Sequence, residues 1–173
     1  IGLSYILDNG HVGFSYGELN RLYGLTGHSH GDEVVQADMH QKKFLMSSEL
    51  RLNHDIFDHV STRVGFTKYT HKELEGAEVG TLFASDTHEA KVDLIHKTFN
   101  GWNGGISIHG KRNNYFAEGH EAFTPPSETS SFALSLVEEK SDPIEQETSA
   151  DRVTDQLDNH LLKGEKIKSR IKA

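Results

Sequence analysis

Apolar and polar residues alternate with a period of two along much of this chain, the spacing of a strand with one apolar face. Ile1, Leu3, Tyr5 and Leu7 alternate with Gly2, Ser4, Ile6 and Asp8. Asn9-Gly10 follows, a hairpin signal, and Val12, Phe14 and Tyr16 then alternate with Gly13, Ser15 and Gly17. Phe44, Met46, Ser48, Leu50 and Leu52 form one face of the clearest strand, and Leu45, Ser47, Glu49, Arg51 and Asn53 the other. A short connection at His54–His59 leads to Val60, Thr62, Val64 and Phe66 against Ser61, Arg63, Gly65 and Thr67. Ala90, Val92 and Leu94 alternate with Glu89, Lys91 and Asp93. After a tight turn at Asn100–Gly105, Ile106 and Ile108 alternate with Ser107, His109 and Lys111, and Phe132, Leu134 and Leu136 open a seventh strand.

The connections take turns in length. Short ones at 9–10, 54–59 and 100–105 separate long polar segments at about 18–41, 70–85 and 112–129. Pro125-Pro126 excludes a central strand in the last of these. The pattern predicts an all-β fold, an antiparallel up-and-down meander forming part of a transmembrane β-barrel, with three long extracellular loops at one end. Strands of about 9–11 residues suit a tilted bilayer crossing. Tyr5, Phe14, Phe44, Phe66 and Phe132 then belong to an outward apolar band, and Phe57, Phe99 and Trp102 to an aromatic rim at the short-turn end. Glu49, Arg51, Lys91 and Asp93 on the opposite faces suit a wet lumen better than a small packed core. A soluble β-sandwich is the competing fold, because it alternates in the same way.

Residues 1–140 form this unit, and residues 141–173 read as a separate charged tail. Thr148-Ser149-Ala150-Asp151 resembles a helix cap, and Val153, Leu157 and Leu161 share one helical face. Gly164 interrupts that pattern and Lys163 to Lys172 is basic, which leaves a poorly paired strand or disorder as alternatives. The chain opens within a strand pattern at Ile1, as a section of a longer protein would.

Composition narrows the chemistry. The 173 residues are 35% hydrophobic, low for a domain with a large core, and contain no cysteine, which excludes disulfides and thiolate metal sites. A net charge of -8 without a basic patch before the tail argues against nucleic acid as a partner. No segment matches a hydrolase elbow, a zinc-protease helix or a phosphate-binding glycine loop, so no enzyme is expected. Twelve histidines are an excess, and metal handling explains it best.

The most concentrated donors lie in Tyr23-Gly24-Leu25-Thr26-Gly27-His28-Ser29-His30-Gly31-Asp32-Glu33. His28 and His30, two apart, fall on one side of an extended segment and suit chelation of one divalent ion, zinc first. Asp32 and Glu33 are supplementary oxygen ligands, and His120, between Glu118 and Glu121, is the best of the more distant candidates, ahead of His40, His71 and His88. Neutral imidazole binds zinc, so affinity should fall below a pH of roughly 6.5. His11, His54, His59, His96 and His109 read as structural.

Four segments carry a family resemblance. The Tyr23–His30 segment resembles the Tyr-Gly-x-x-Gly-His-x-His element of an extracellular loop in zinc-uptake TonB-dependent outer-membrane receptors. Thr70-His71-Lys72-Glu73-Leu74-Glu75-Gly76-Ala77-Glu78-Val79-Gly80-Thr81 is similar to a second loop of that group, Gly101-Trp102-Asn103-Gly104 to its periplasmic Gly-Trp turn, and Glu121-Ala122-Phe123-Thr124-Pro125-Pro126 to a third loop. The resemblance spans about residues 1–139. It implies a Gram-negative outer-membrane receptor, lipid-embedded, with a 22-stranded barrel and a plug, importing zinc as substrate with energy from TonB. The plug and the TonB-contacting box have no counterpart in these residues, so TonB would act only through other parts of a full-length receptor. A receptor for a metal chelate such as a siderophore or haem, and a soluble β-rich metal-binding domain, are the alternatives.

Overall fold

The computed structural model describes residues 1–30, 33–120, 122–140, 153, 156–157 and 166–171, with the side chains of 26–30, 33–34 and 166–171 outside the description. Eight strands form one antiparallel sheet in sequence order. They are β1 (Gly2–Leu7), β2 (Gly10–His30), β3 (Glu33–Arg51), β4 (Phe57–Glu75), β5 (Glu78–His96), β6 (Trp102–Gly119), β7 (Ser127–Lys140) and β8 (Lys166–Ile171). Strands β1 to β7 make the expected meander, consistent with part of a barrel. The sheet is not closed, since β1 and β8 lie at its two edges.

Two features depart from the sequence reading. The segments 18–41, 70–85 and 112–129 are for the most part strand, the far halves of long hairpins. Only about 31–32, 76–77 and 120–126 connect them. Alternation could not reveal these strands because polar side chains interrupt both of their faces, while the antiparallel backbone ladder continues regardless. The strand alternative for the basic tail is the one found: β8 pairs with the upper part of β7, from Ser127 with Ile171 to Phe132 with Lys166.

At the short ends, local chemistry sets the turns. Asn100 and Gly101 both adopt positive φ, 50° and 79°, as a tight hairpin turn with a right-handed strand twist demands. Phe99 and Trp102 close it with two backbone hydrogen bonds of 2.9 Å. At the first turn, Asp8 and Asn9 are the turn residues and Gly10 already pairs with Leu7, one position earlier than the Asn-Gly reading. In the connection from β3 to β4, the His54 Nδ1 accepts hydrogen bonds from the Ile56 and Phe57 amides at 3.1 and 3.3 Å.

Register decides what the faces look like. Leu3 lies beside Phe14, Phe14 beside Met46, Met46 beside Val64 and Val64 beside Ala90. The rows nearer the short turns run Val60–Leu94–Ile106–Leu136 and Thr62–Val92–Ile108–Leu134. The apolar faces of successive strands therefore merge into one band. That band is uncovered: Phe132, Leu134 and Leu136 are 59%, 64% and 65% exposed. At its edge toward the long hairpins, Phe14, Phe44 and Phe66 form a row with ring centroids 6.2 Å apart. One row further, Glu18, Lys42, Lys68 and Asp86 stand side by side, so the surface changes from aromatic to charged within a single step.

The opposite face is polar and partly covered. A trough of about 740 Å³ is lined there by Ser4, Ser47, Arg63, Glu89, Lys91 and His109. Near the short-turn end, Ile95 and Val137 pack with Val153 and Leu157 of the tail, and both tail residues are fully buried. Val153, Gln156 and Leu157 are helical, while Leu161, the third residue of the helical spacing, lies outside the described residues. Ile95 can reach this seat because it crosses Gly105, where a Cβ would meet the Ile95 Cδ1 at 2.5 Å.

Candidate functional site

The tip of the β2–β3 hairpin carries the candidate metal ligands. His28 and His30 end β2, Glu33 opens β3, and His30 and Glu33 are register partners. Asp32 lies outside the described residues, and so do the side chains of His28, His30 and Glu33. The register shifts between Gly24 and Ser29, so a bulge sets the histidines off from the regular ladder below. Pairing of β3 with β4 starts only at Val35 with Glu75, which leaves the tip projecting past the neighbouring hairpin.

His120 is placed elsewhere. It follows β6, and its amide donates to the Gly80 carbonyl at 3.1 Å. Strands β4 and β5 intervene between β3 and β6, a separation of about 14 Å across a flat sheet. The sheet therefore brings His30 and Glu33 together and holds the His120 backbone apart from them; Glu121 lies outside the described residues.

The remaining histidines differ in setting. His40 is held on an exposed face by Asn20 at 2.7 Å and Asp38 at 3.0 Å. His88 stacks edge-on against Phe66 with centroids 5.3 Å apart. His71 is the one that sequence reasoning undervalued. It sits on the polar face of the long hairpins, with ring centroids 5.7 Å from Phe83, 6.4 Å from Tyr69 and 6.5 Å from Tyr23. Its Nδ1 lies 3.3 Å from the Tyr69 hydroxyl, and its Nε2 is buried without a hydrogen-bond partner. The residues come from three strands, β2, β4 and β5, and only the register reveals that they share one patch.

Of the residues expected to line a wet lumen, Glu49 and Arg51 are exposed, but Lys91 and Asp93 are buried. Asp93 is 1% exposed and Lys91 9%. The Lys91 ammonium lies 3.1 Å from the Asp93 Oδ1, and the Ser107 hydroxyl donates to the same oxygen. Burial makes this pairing necessary, since an isolated buried charge is far costlier than a paired one. On the apolar face below the band, His96 reaches Glu138 at 3.1 Å across β6. Gly104 stands between them, and a Cβ there would overlap the Glu138 carboxylate. The His96–Glu138 contact joins residues that the sequence reading did not connect.

Among the described residues, no three His, Asp or Glu side chains converge into a metal site. No protein-family model matches the chain, and no curated protein matches it.

Proposed function

We propose that this chain is a section of the β-barrel of a TonB-dependent outer-membrane receptor that takes up a divalent metal, zinc first. The observation that carries the reading is the uncovered apolar band aligned by register across β1 to β7, backed by a polar face. On β3 the band runs from Phe44 to Leu50, about 20 Å along the strand, against an apolar belt of ~25 Å in outer-membrane barrels. The aromatic row and the abrupt change to charge mark where such a belt ends. Strand β4, with 19 residues, spans about 63 Å, so its hairpin with β5 would stand well outside the bilayer.

In this reading His28, His30, Asp32 and Glu33 capture the ion at the far tip of the longest hairpin. His120 belongs to a separate point on the rim. Zinc binding to the folded chain, followed by calorimetry, is expected to weaken at least ten-fold in the H28A/H30A variant and below a pH of roughly 6.5. Unchanged affinity would remove the tip as the capture site. Spontaneous monomeric solubility without detergent would instead favour the soluble β-rich metal-binding domain.

One observation favours a metal chelate, such as a siderophore or haem, as cargo. Tyr23, Tyr69, His71 and Phe83 make an aromatic patch on the polar face of the projecting hairpins, suited to flat or ring-bearing ligands. Titration with free zinc and with chelates, on wild type and on H71A, separates the two cargoes. Loss of chelate binding with intact zinc binding in H71A assigns the patch to a chelate.

A further inference from the structure

Lys42 and Lys68 are direct register partners on β3 and β4, and both side chains are exposed. By alternation they point to the same side as Phe44 and Phe66, which are themselves register partners one row below. Neither lysine makes an ion pair or hydrogen bond to another described residue. Like charges placed directly opposite in a ladder destabilise it, so this pair is costly as it stands.

Each lysine faces a carboxylate across its other ladder, Glu18 and Asp86, without closing to an ion pair with it. Glu18 lies on the far side of Lys42 and accepts a hydrogen bond from the Tyr16 hydroxyl at 3.3 Å, and Asp86 lies on the far side of Lys68. Above the pair stand His40, held by Asn20 and Asp38, and Thr70. Below it are the two phenylalanine rings and, diagonally, His88, while the next cation along that row, Arg112, is bound to Glu128 at 2.8 Å. The pair lies one row from the aromatic edge of the apolar band.

We propose that Lys42 and Lys68 grip the phosphate of a lipid headgroup at the boundary of the apolar band. The inference rests on the membrane reading above, because only a bilayer places phosphates at that height. A phosphate bridging both ammonium groups turns the like-charge repulsion into two charge-assisted contacts. The acyl chains of the same lipid then run along Phe44, Phe66 and the apolar rows beyond them, so one molecule satisfies both halves of the surface. Cations beside a bilayer surface contribute enough attraction that each lysine is expected to change affinity roughly five-fold.

The test uses the full chain and phosphatidylcholine vesicles with or without lipid A carrying both phosphates. Wild type should bind the lipid A vesicles more tightly. The K42Q and K68Q variants should each lose roughly five-fold of that preference, and the double variant about twenty-five-fold. A K42R/K68R variant should keep it, as should K97Q, whose side chain lies at the other end of the sheet. Equal lipid A preference in wild type and K42Q/K68Q, with insertion intact, overturns the docking point and leaves the membrane reading standing. Displacement of the protein by an equal concentration of inorganic phosphate assigns the pair to free phosphate and overturns the lipid. Failure of wild type to enter either vesicle overturns the membrane reading and the docking point together.

Discussion

Three positions on the sheet show how single residues hold it. Asp93 is buried with Lys91 and Ser107 on one oxygen, and its Oδ2 has no partner. Removing the carboxylate would take a close ion-pair partner from a buried ammonium, so D93A is expected to cost about 3–5 kcal/mol, against about 1 kcal/mol for S107A, measured by chemical unfolding. Equal costs would mean that the lysine finds another acceptor. Gly104 leaves the gap through which His96 meets Glu138. G104V should break that pair, and the H96A substitution should then add little further destabilisation in the same background. Additive losses would show that the two residues do not depend on the gap.

The elements are long hairpins whose two halves obey different rules. In the half near the short turns, apolar alternation and register agree, so the sequence reading finds every strand. In the far half, from about Glu18 on β2 and Lys68 on β4, polar residues interrupt both faces, and the ladder is joined by only a few buried apolar residues such as Val35, Ala37 and Ala117. Such a hairpin depends on its turn. Gly76 turns β4 into β5 with φ of 62°, so G76V is expected to cost about 1–2 kcal/mol and to raise amide exchange in the far half of that hairpin alone. Exchange rising throughout β4 and β5 would show one cooperative unit. The tail is held at two places, by Val153 and Leu157 seated on Ile95 and Val137 and by the pairing of β8 with β7. L157D should release it to proteolysis while the seven-stranded meander stays protected; loss of protection across the sheet would make the tail part of the core.

At the scale of the molecule, the two faces make opposite predictions. Ile108 and Leu134 are register partners in the middle of the uncovered band, and Ser135 follows on the other face. If the band meets lipid, I108K or L134K should cost about 2–4 kcal/mol of folding into vesicles, whereas S135K should be tolerated. Equal tolerance at Leu134 and Ser135 would contradict a lipid-facing band and favour a water-exposed sheet. Of the candidate site, His28, His30 and Glu33 were legible as donors because closely spaced polar ligands announce themselves locally. The aromatic ring of residues around His71 was not, because Tyr23, Tyr69 and Phe83 are far apart in sequence and meet only through register.

The sequence alone determined the all-β class, the order of the strands and which residues of each strand are apolar, because side chains in a strand alternate with a fixed period of two. It also determined the turn at Asn100-Gly101, because few residues accept that backbone. Tertiary structure decided what alternation cannot encode: how far polar strands continue, which rows line up and what lies across from what. Register made separate apolar stripes into one band, set Lys42 beside Lys68, and seated Val153 and Leu157 on Ile95 and Val137. Each of these follows from pairing between strands, a property of two segments together and of neither one by itself.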